Sequence, residues 1–108
     1  MRPDALRGHL DSLILAAVEA GPLHGYAITE ALLTRTGGEV DVPTGTLYPA
    51  LRRLERAGYL RGEWSTVGGR ERRTYRLSTA GRKVLAAQRE EWRSFADVID
   101  RALRPATE

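Results

Sequence analysis

From Leu6 to Val18 the apolar residues Leu6, Leu10, Leu13, Ile14, Ala17 and Val18 recur at steps of three and four. That spacing gathers them on one side of a helix, so the pattern predicts a first amphipathic helix over 6–18, weakened in its first turn by Gly8. Gly21-Pro22 supplies the stop, because glycine accepts a left-handed cap and proline cannot continue the ladder. A second helix is expected from about Gly25 to Thr36, with Ile28, Ala31, Leu32 and Leu33 facing inward and Gly37-Gly38 closing it. Val40-Asp41-Val42 alternates too briefly to be more than a strand fragment or an extended loop.

A third helix follows, with Thr44 as its candidate N-cap and Leu47, Ala50, Leu51, Leu54 and Ala57 on one face. The opposite face carries Thr46, Tyr48, Arg52, Arg53 and Arg56. Pro49 sits awkwardly in this segment, since it lacks an amide donor and collides with the carbonyl four residues back. Either the regular helix begins near Thr46 or the helix bends at Pro49.

After Gly58 the period changes to two. Leu60, Gly62 and Trp64 alternate with Arg61, Glu63 and Ser65, and Arg73, Tyr75 and Leu77 alternate with Arg72, Thr74 and Arg76. Val67-Gly68-Gly69-Arg70 between them is a glycine turn, so the segment reads as a hairpin with a basic tip. A lone hairpin is marginal in water, so its Leu60, Trp64, Tyr75 and Leu77 side is expected to pack against the helices, with Trp64 in the core.

The helical period returns at Thr79, with Ser78 or Thr79 as cap, and runs nearly to the C-terminus. About 25 residues make a rod of roughly 37 Å, longer than the domain can cover. Leu85, Trp92 and Ile99 lie seven apart, and Gln88, Phe95 and Ala102 fill the second position of the same heptad. Such a seam calls for a partner helix. The expected fold class is mainly α with a small β-hairpin. Three short helices and a two-stranded wing resemble a winged helix-turn-helix over 1–78, followed by a long dimerisation helix over 79–108.

Charge sharpens this picture. The formal net charge of the 108 residues is only +3, but Thr44 to Lys83 holds ten Lys/Arg against three Asp/Glu, a net of +7, and the remainder is net −4. A clustered positive field favours a polyanion, and nucleic acid is the first partner it suggests. The third helix then offers arginines for guanine edges or phosphates and hydroxyls for phosphate oxygens. At the hairpin tip the glycines let backbone approach DNA while Arg70 enters a minor groove or grips phosphate.

The chain has no cysteine, which excludes disulfides and thiolate metal sites, and no apolar run long enough to span a membrane. A cytoplasmic protein is expected. The two histidines, His9 and His24, have no neighbouring carboxylate or nucleophile pattern, and no phosphate-cradling loop is present, so no enzyme, metal or cofactor is expected.

The strings His24-Gly25-Tyr26-Ala27-Ile28 and Gly45-Thr46-Leu47-Tyr48-Pro49-Ala50-Leu51-Arg52-Arg53-Leu54-Glu55, then Gly69-Arg70, Tyr75-Arg76-Leu77 and Gly81, resemble the PadR family of bacterial transcription regulators. The resemblance covers nearly the whole chain and includes the awkward Pro49. It implies DNA contacts from Tyr26, from Thr44, Thr46 and Tyr48, and from the wing residues Gly69 and Arg70. Arg52 extends that surface, and Arg72 and Arg73 are its further candidates. The short C-terminal region resembles the family's compact branch, whose last helix dimerises, and Leu10, Leu85, Trp92, Phe95 and Ile99 are the candidate dimer residues. In some compact relatives an aromatic residue of that helix lines a pocket between protomers for flat molecules. Trp92 and Phe95 are therefore either a structural dimer contact or the site of a planar aromatic effector. The resemblance implies a homodimeric, ligand-relieved repressor on a pseudo-palindromic double-stranded operator. The rival from another class is a winged-helix protein-interaction adaptor, which predicts an apolar or mixed-charge wing and third helix. RNA binding is disfavoured by the few exposed aromatics expected.

Overall fold

The computed structural model describes residue 6 and residues 8–106. In chain order it contains α1 (Leu10–Ala17), β1 (Leu23–His24), α2 (Gly25–Arg35), α3 (Thr44–Arg56), β2 (Leu60–Val67), β3 (Arg70–Leu77) and α4 (Thr79–Leu103). This is the winged-helix arrangement read from the sequence, with differences at several element boundaries.

The first helix starts four residues later than its apolar periodicity suggests. Gly8 has φ +84°, a left-handed conformation that a right-handed helix cannot pass through, so Leu6 lies in a separate turn whose carbonyl accepts from the His9 amide at 2.9 Å. Leu6 still packs against the core, which is why its spacing matched the helix. At the end of α2 the Thr36 hydroxyl donates to the Leu32 carbonyl at 2.7 Å and accepts from the Val40 amide at 2.9 Å. Val40 and Val42 enter the core from an extended loop without forming a strand.

Pro43, not Thr44, is the N-cap of α3, and its carbonyl accepts from the Thr46 and Leu47 amides at 3.0 and 2.9 Å. Thr44 is the first helical residue, and its hydroxyl makes no capping bond. The regular helix therefore begins before Thr46 and runs through Pro49. The missing proline amide deprives the Gly45 carbonyl of its ladder partner, and Gly45 is exposed, so water can replace the bond. Leu47, Ala50, Leu51 and Leu54 are buried as expected. Ala57 is exposed, because it is the C-cap and the chain turns away at Gly58.

Gly68 and Gly69 have φ +58° and +77°, the pair of positive values that a two-residue type I′ hairpin requires. The register sets Leu60 opposite Leu77, Gly62 opposite Tyr75 and Trp64 opposite Arg73. A third strand, β1, pairs antiparallel with β3 through Leu23 and His24, giving the order β1-β3-β2. Two residues carry too little alternation for the sequence to announce it. Leu60, Tyr75 and Leu77 join Ile14, Leu15, Val18, Ile28, Leu32 and the α3 leucines in one core. Trp64 does not, and its 67% exposure corrects the expectation of a core tryptophan. At that register the indole meets the Arg73 guanidinium, 5.3 Å from its ring centre, and not the apolar core.

Ser78 caps α4, accepting from the Gly81 amide at 3.0 Å and donating to the Gly58 carbonyl at 2.6 Å. Leu85 and Val84 belong to the core, so the first turns of α4 are part of the same body as the winged helix. Alongside α1, Ser12 donates to Gln88 at 2.6 Å and Arg89 grips Glu19 through two 2.8 Å bonds. After Trp92, which still meets the His9 ring beside α1, the helix leaves the body, and the molecule reaches 66 Å in its longest dimension against 28 and 21 Å in the others.

Candidate nucleic-acid interface

The outward side of α3 presents Thr44, Thr46, Tyr48 and Arg52, all exposed. Tyr48 and Arg52 are four residues apart and share a helix face. Tyr48 is only 40% exposed because its ring lies across Gly25 at the start of α2, where an added Cβ would stand 2.6 Å from the phenolic oxygen. A side chain at position 25 would displace the ring. The neighbouring Tyr26 is 65% exposed and opens onto the same groove as Tyr48.

Not every arginine of α3 joins this surface. Arg53 pairs with Asp11 at 2.6 Å and ties α3 to α1. Arg52 and Arg70 pair with no carboxylate among the described residues. Gly69 and Arg70 form the exposed wing tip. Arg72 is half-buried and donates to Nε2 of His24 across 3.1 Å. Arginine has no acceptor, so Nε2 accepts and a ring proton sits on Nδ1.

Arg73 has a different environment. Its guanidinium donates to the Glu55 carboxylate of α3 and lies 5.3 Å from the centre of the Trp64 ring. The Glu55 hydrogen bond pushes the Arg73 pKa up, locking in the cation. Gly62 leaves room for this side chain, since a Cβ there would approach its guanidinium to 2.8–2.9 Å. The structure therefore places Arg73 between wing and third helix, while Arg70 and Arg72 are the arginines presented at the wing. The buried Tyr75 behind them has its pKa raised chiefly by loss of water.

Between the start of α2, Tyr48 and the hairpin runs an open groove of about 640 Å³, walled by His24, Tyr26, Tyr48, Trp64, Arg72 and Arg73. Glu30 and Glu71 line it as well. Sequence reasoning did not pick out Gly25, Glu55 or Trp64 as parts of this surface. The available signal for Glu55 was its being one of only three carboxylates in a strongly basic segment.

At the other end, Leu85 is 2% exposed and occupied within its own core, and Leu10 is half-buried against it. Trp92, Phe95, Val98, Ile99 and Leu103 are all exposed along α4. His9 meets Trp92 edge-on at 5.3 Å between ring centres, and Trp92 meets Phe95 at 6.0 Å. Among the described residues no cluster of His, Asp or Glu could hold a metal ion, and no helix is long and apolar enough to cross a membrane.

A helix presenting hydroxyls and arginine beside a basic two-stranded wing defines a DNA-binding winged helix-turn-helix. Residues 14–87 match the transcriptional regulator PadR-like family, and the chain belongs to that family. It is 43% identical over 74 residues to the transcriptional regulator Rv3488 of Mycobacterium tuberculosis, covering 68% of this chain and 66% of that one. A transcriptional regulator from Clostridium thermocellum, Cth-833, superposes with a TM-score of 0.86 at 30% identity, over 94% of this chain and 99% of the other. Bacillus subtilis PadR, solved in complex with operator DNA, shares the fold with a TM-score of 0.67 at 22% identity, over 94% of this chain and 50% of that one.

Proposed function

We propose that this transcriptional regulator is a homodimeric repressor that reads a pseudo-palindromic operator and releases it on binding a planar aromatic effector. The observation that carries the DNA reading is the groove that Tyr26, Tyr48 and Arg72 line together, with Thr44, Thr46 and Arg52 exposed on the helix that carries Tyr48 and Arg70 exposed at the tip of the hairpin that carries Arg72. In this reading α3 enters the major groove, its hydroxyls fix the register on phosphates, and Arg52 reaches a base edge or a phosphate. Gly68 and Gly69 allow the wing tip to approach the adjacent minor groove closely, with Arg70 leading.

The dimer reading is supported by α4, along which five large apolar side chains stand exposed. Pairing two such helices orders two recognition helices for half-sites about 34 Å or a multiple apart. The effector reading is supported by Trp92 and Phe95, whose exposed rings offer stacking surface on that same helix. A ligand bound there acts on DNA only by favouring one spacing of the recognition helices over another.

Selection of bound fragments from genomic DNA tests the core of this reading. A repressor of this kind enriches a pseudo-palindrome. Enrichment of no site would leave a winged-helix adaptor as the better description.

A further inference from the structure

Trp64 is a large apolar side chain kept 67% exposed on the wing. It is nevertheless fixed. Glu55 on α3 holds Arg73, and Arg73 lies 5.3 Å from the indole centre, so a charged strut runs from the third helix to the tryptophan. Gly62 supplies the space for the strut, where any Cβ would collide with it. One side of the indole is thus taken by a cation, and the rest faces the groove that Tyr26, Tyr48 and Arg72 also line. An arrangement that spends an ion pair and a glycine on posing a solvent-facing indole calls for something to meet the indole.

We infer that Trp64 is the wing's apolar contact to the sugar–phosphate backbone of duplex DNA, and that Glu55 and Arg73 are its positioning residues. This rests on the DNA-binding reading above. When a helix lies in the major groove and a wing reaches the neighbouring minor groove, a backbone strand must pass through the cleft between them. In this molecule that cleft is the groove edged by Trp64. An indole suits the role, because its apolar body packs on deoxyribose while its N–H donates to a phosphate oxygen. Glu30 and Glu71 also line the groove and disfavour phosphate beside them, so in this inference the backbone runs where Arg72 and the exposed indole stand.

The test uses the Trp92→Phe protein, in which Trp64 is the sole tryptophan, and a mixed-sequence duplex of about 30 base pairs, which suffices for a backbone contact. Saturating duplex should shift Trp64 emission and shield it from acrylamide. In the parent protein, Trp64→Ala should weaken duplex binding about five- to tenfold while leaving the unfolding temperature and the slope of log affinity against log salt unchanged, since no counterion-displacing charge is removed. Glu55→Gln should weaken binding less, and its effect should shrink when Trp64 is already Ala, as expected for a residue acting through the indole. If the parent binds the duplex while Trp64→Ala binds equally well and Trp64 stays open to acrylamide, this inference falls and the DNA-binding reading stands. A parent that binds no duplex overturns both.

Discussion

Arg70 and Arg73 are three positions apart on one strand, yet their surroundings assign them different work. Arg70 is exposed at a glycine turn with few neighbours, so its removal costs little folding energy, whereas Arg73 is held by Glu55 and Trp64. Arg70→Ala is expected to leave the unfolding temperature unchanged and to weaken operator binding, with the salt slope reduced by about one for each phosphate that is no longer neutralised. Fluorescence anisotropy across a salt titration measures both quantities, and equal affinity throughout would remove the wing tip from the interface. Tyr48 offers a finer test. Tyr48→Phe keeps the ring on Gly25 and removes only the hydroxyl, so a DNA contact should appear as a loss of about 1 kcal/mol in operator affinity. Gly25→Ala does the reverse, pushing the ring from its seat without touching its chemistry. It should weaken binding as well, and a Gly25→Ala protein with parental affinity would show that the pose of Tyr48 is immaterial.

At the scale of elements, α4 is fastened to α1 by Arg89 and Glu19, and this contact has a defined pH signature. The Arg89 hydrogen bond, with its charge, holds the Glu19 carboxyl below its ordinary range. A carboxylate whose folded pKa is depressed contributes stability above its unfolded pKa and loses it as pH falls through the folded value. The parent's unfolding temperature should therefore decline on the acid side of the carboxylate range, and Arg89→Gln should show a shallower decline. Because both groups are largely solvated, the difference is expected to be small and to fade at high salt. Parallel acid limbs for the two proteins would mean the pair contributes nothing. Much of the element layout was legible because long periodic segments advertise themselves: the α3 leucines and the alternation on either side of Gly68-Gly69 gave the right elements. What escaped depended on neighbours distant in sequence. Trp64 has the strand spacing of a core residue, and the fold sets the Arg73–Glu55 ion pair beside the indole in place of apolar side chains. The strand at Leu23-His24 exists because β3 offers it an edge, and Gly8 ends a helix that the leucine spacing alone would have continued. The same limit applies to the DNA surface. Its residue types were readable from charge and motif, whereas the diversion of Arg53 to Asp11 and of Arg73 to Glu55 required knowing which helices meet.

For the whole molecule the question is what covers α4 beyond Arg89. Trp92, Phe95, Val98, Ile99 and Leu103 form an exposed apolar face more than two turns long, whose first residue meets His9 of the same protomer. A second copy pairing along this face would bury Ile99, and Ile99→Asp would then leave a charge without a partner in an apolar contact. The expected outcome is a monomer by analytical ultracentrifugation, with operator affinity falling because two half-sites are no longer read together. Trp92→Ala separates two versions of the interface. If Trp92 serves chiefly as a ligand platform, this variant remains a DNA-competent dimer, and the quenching that planar aromatic compounds cause in the parent disappears. Because Trp64 also fluoresces, the quenching is best read in a Trp64→Phe background. If Trp92 is a structural contact, its removal weakens the dimer itself, and no planar compound quenches the parent. His9 provides an internal control, since its edge contact with Trp92 exists within one protomer. His9→Ala should perturb Trp92 emission without dissociating the dimer. A parent that sediments as a monomer at micromolar concentration would sink both versions, and α4 would then need a different partner to account for its uncovered face.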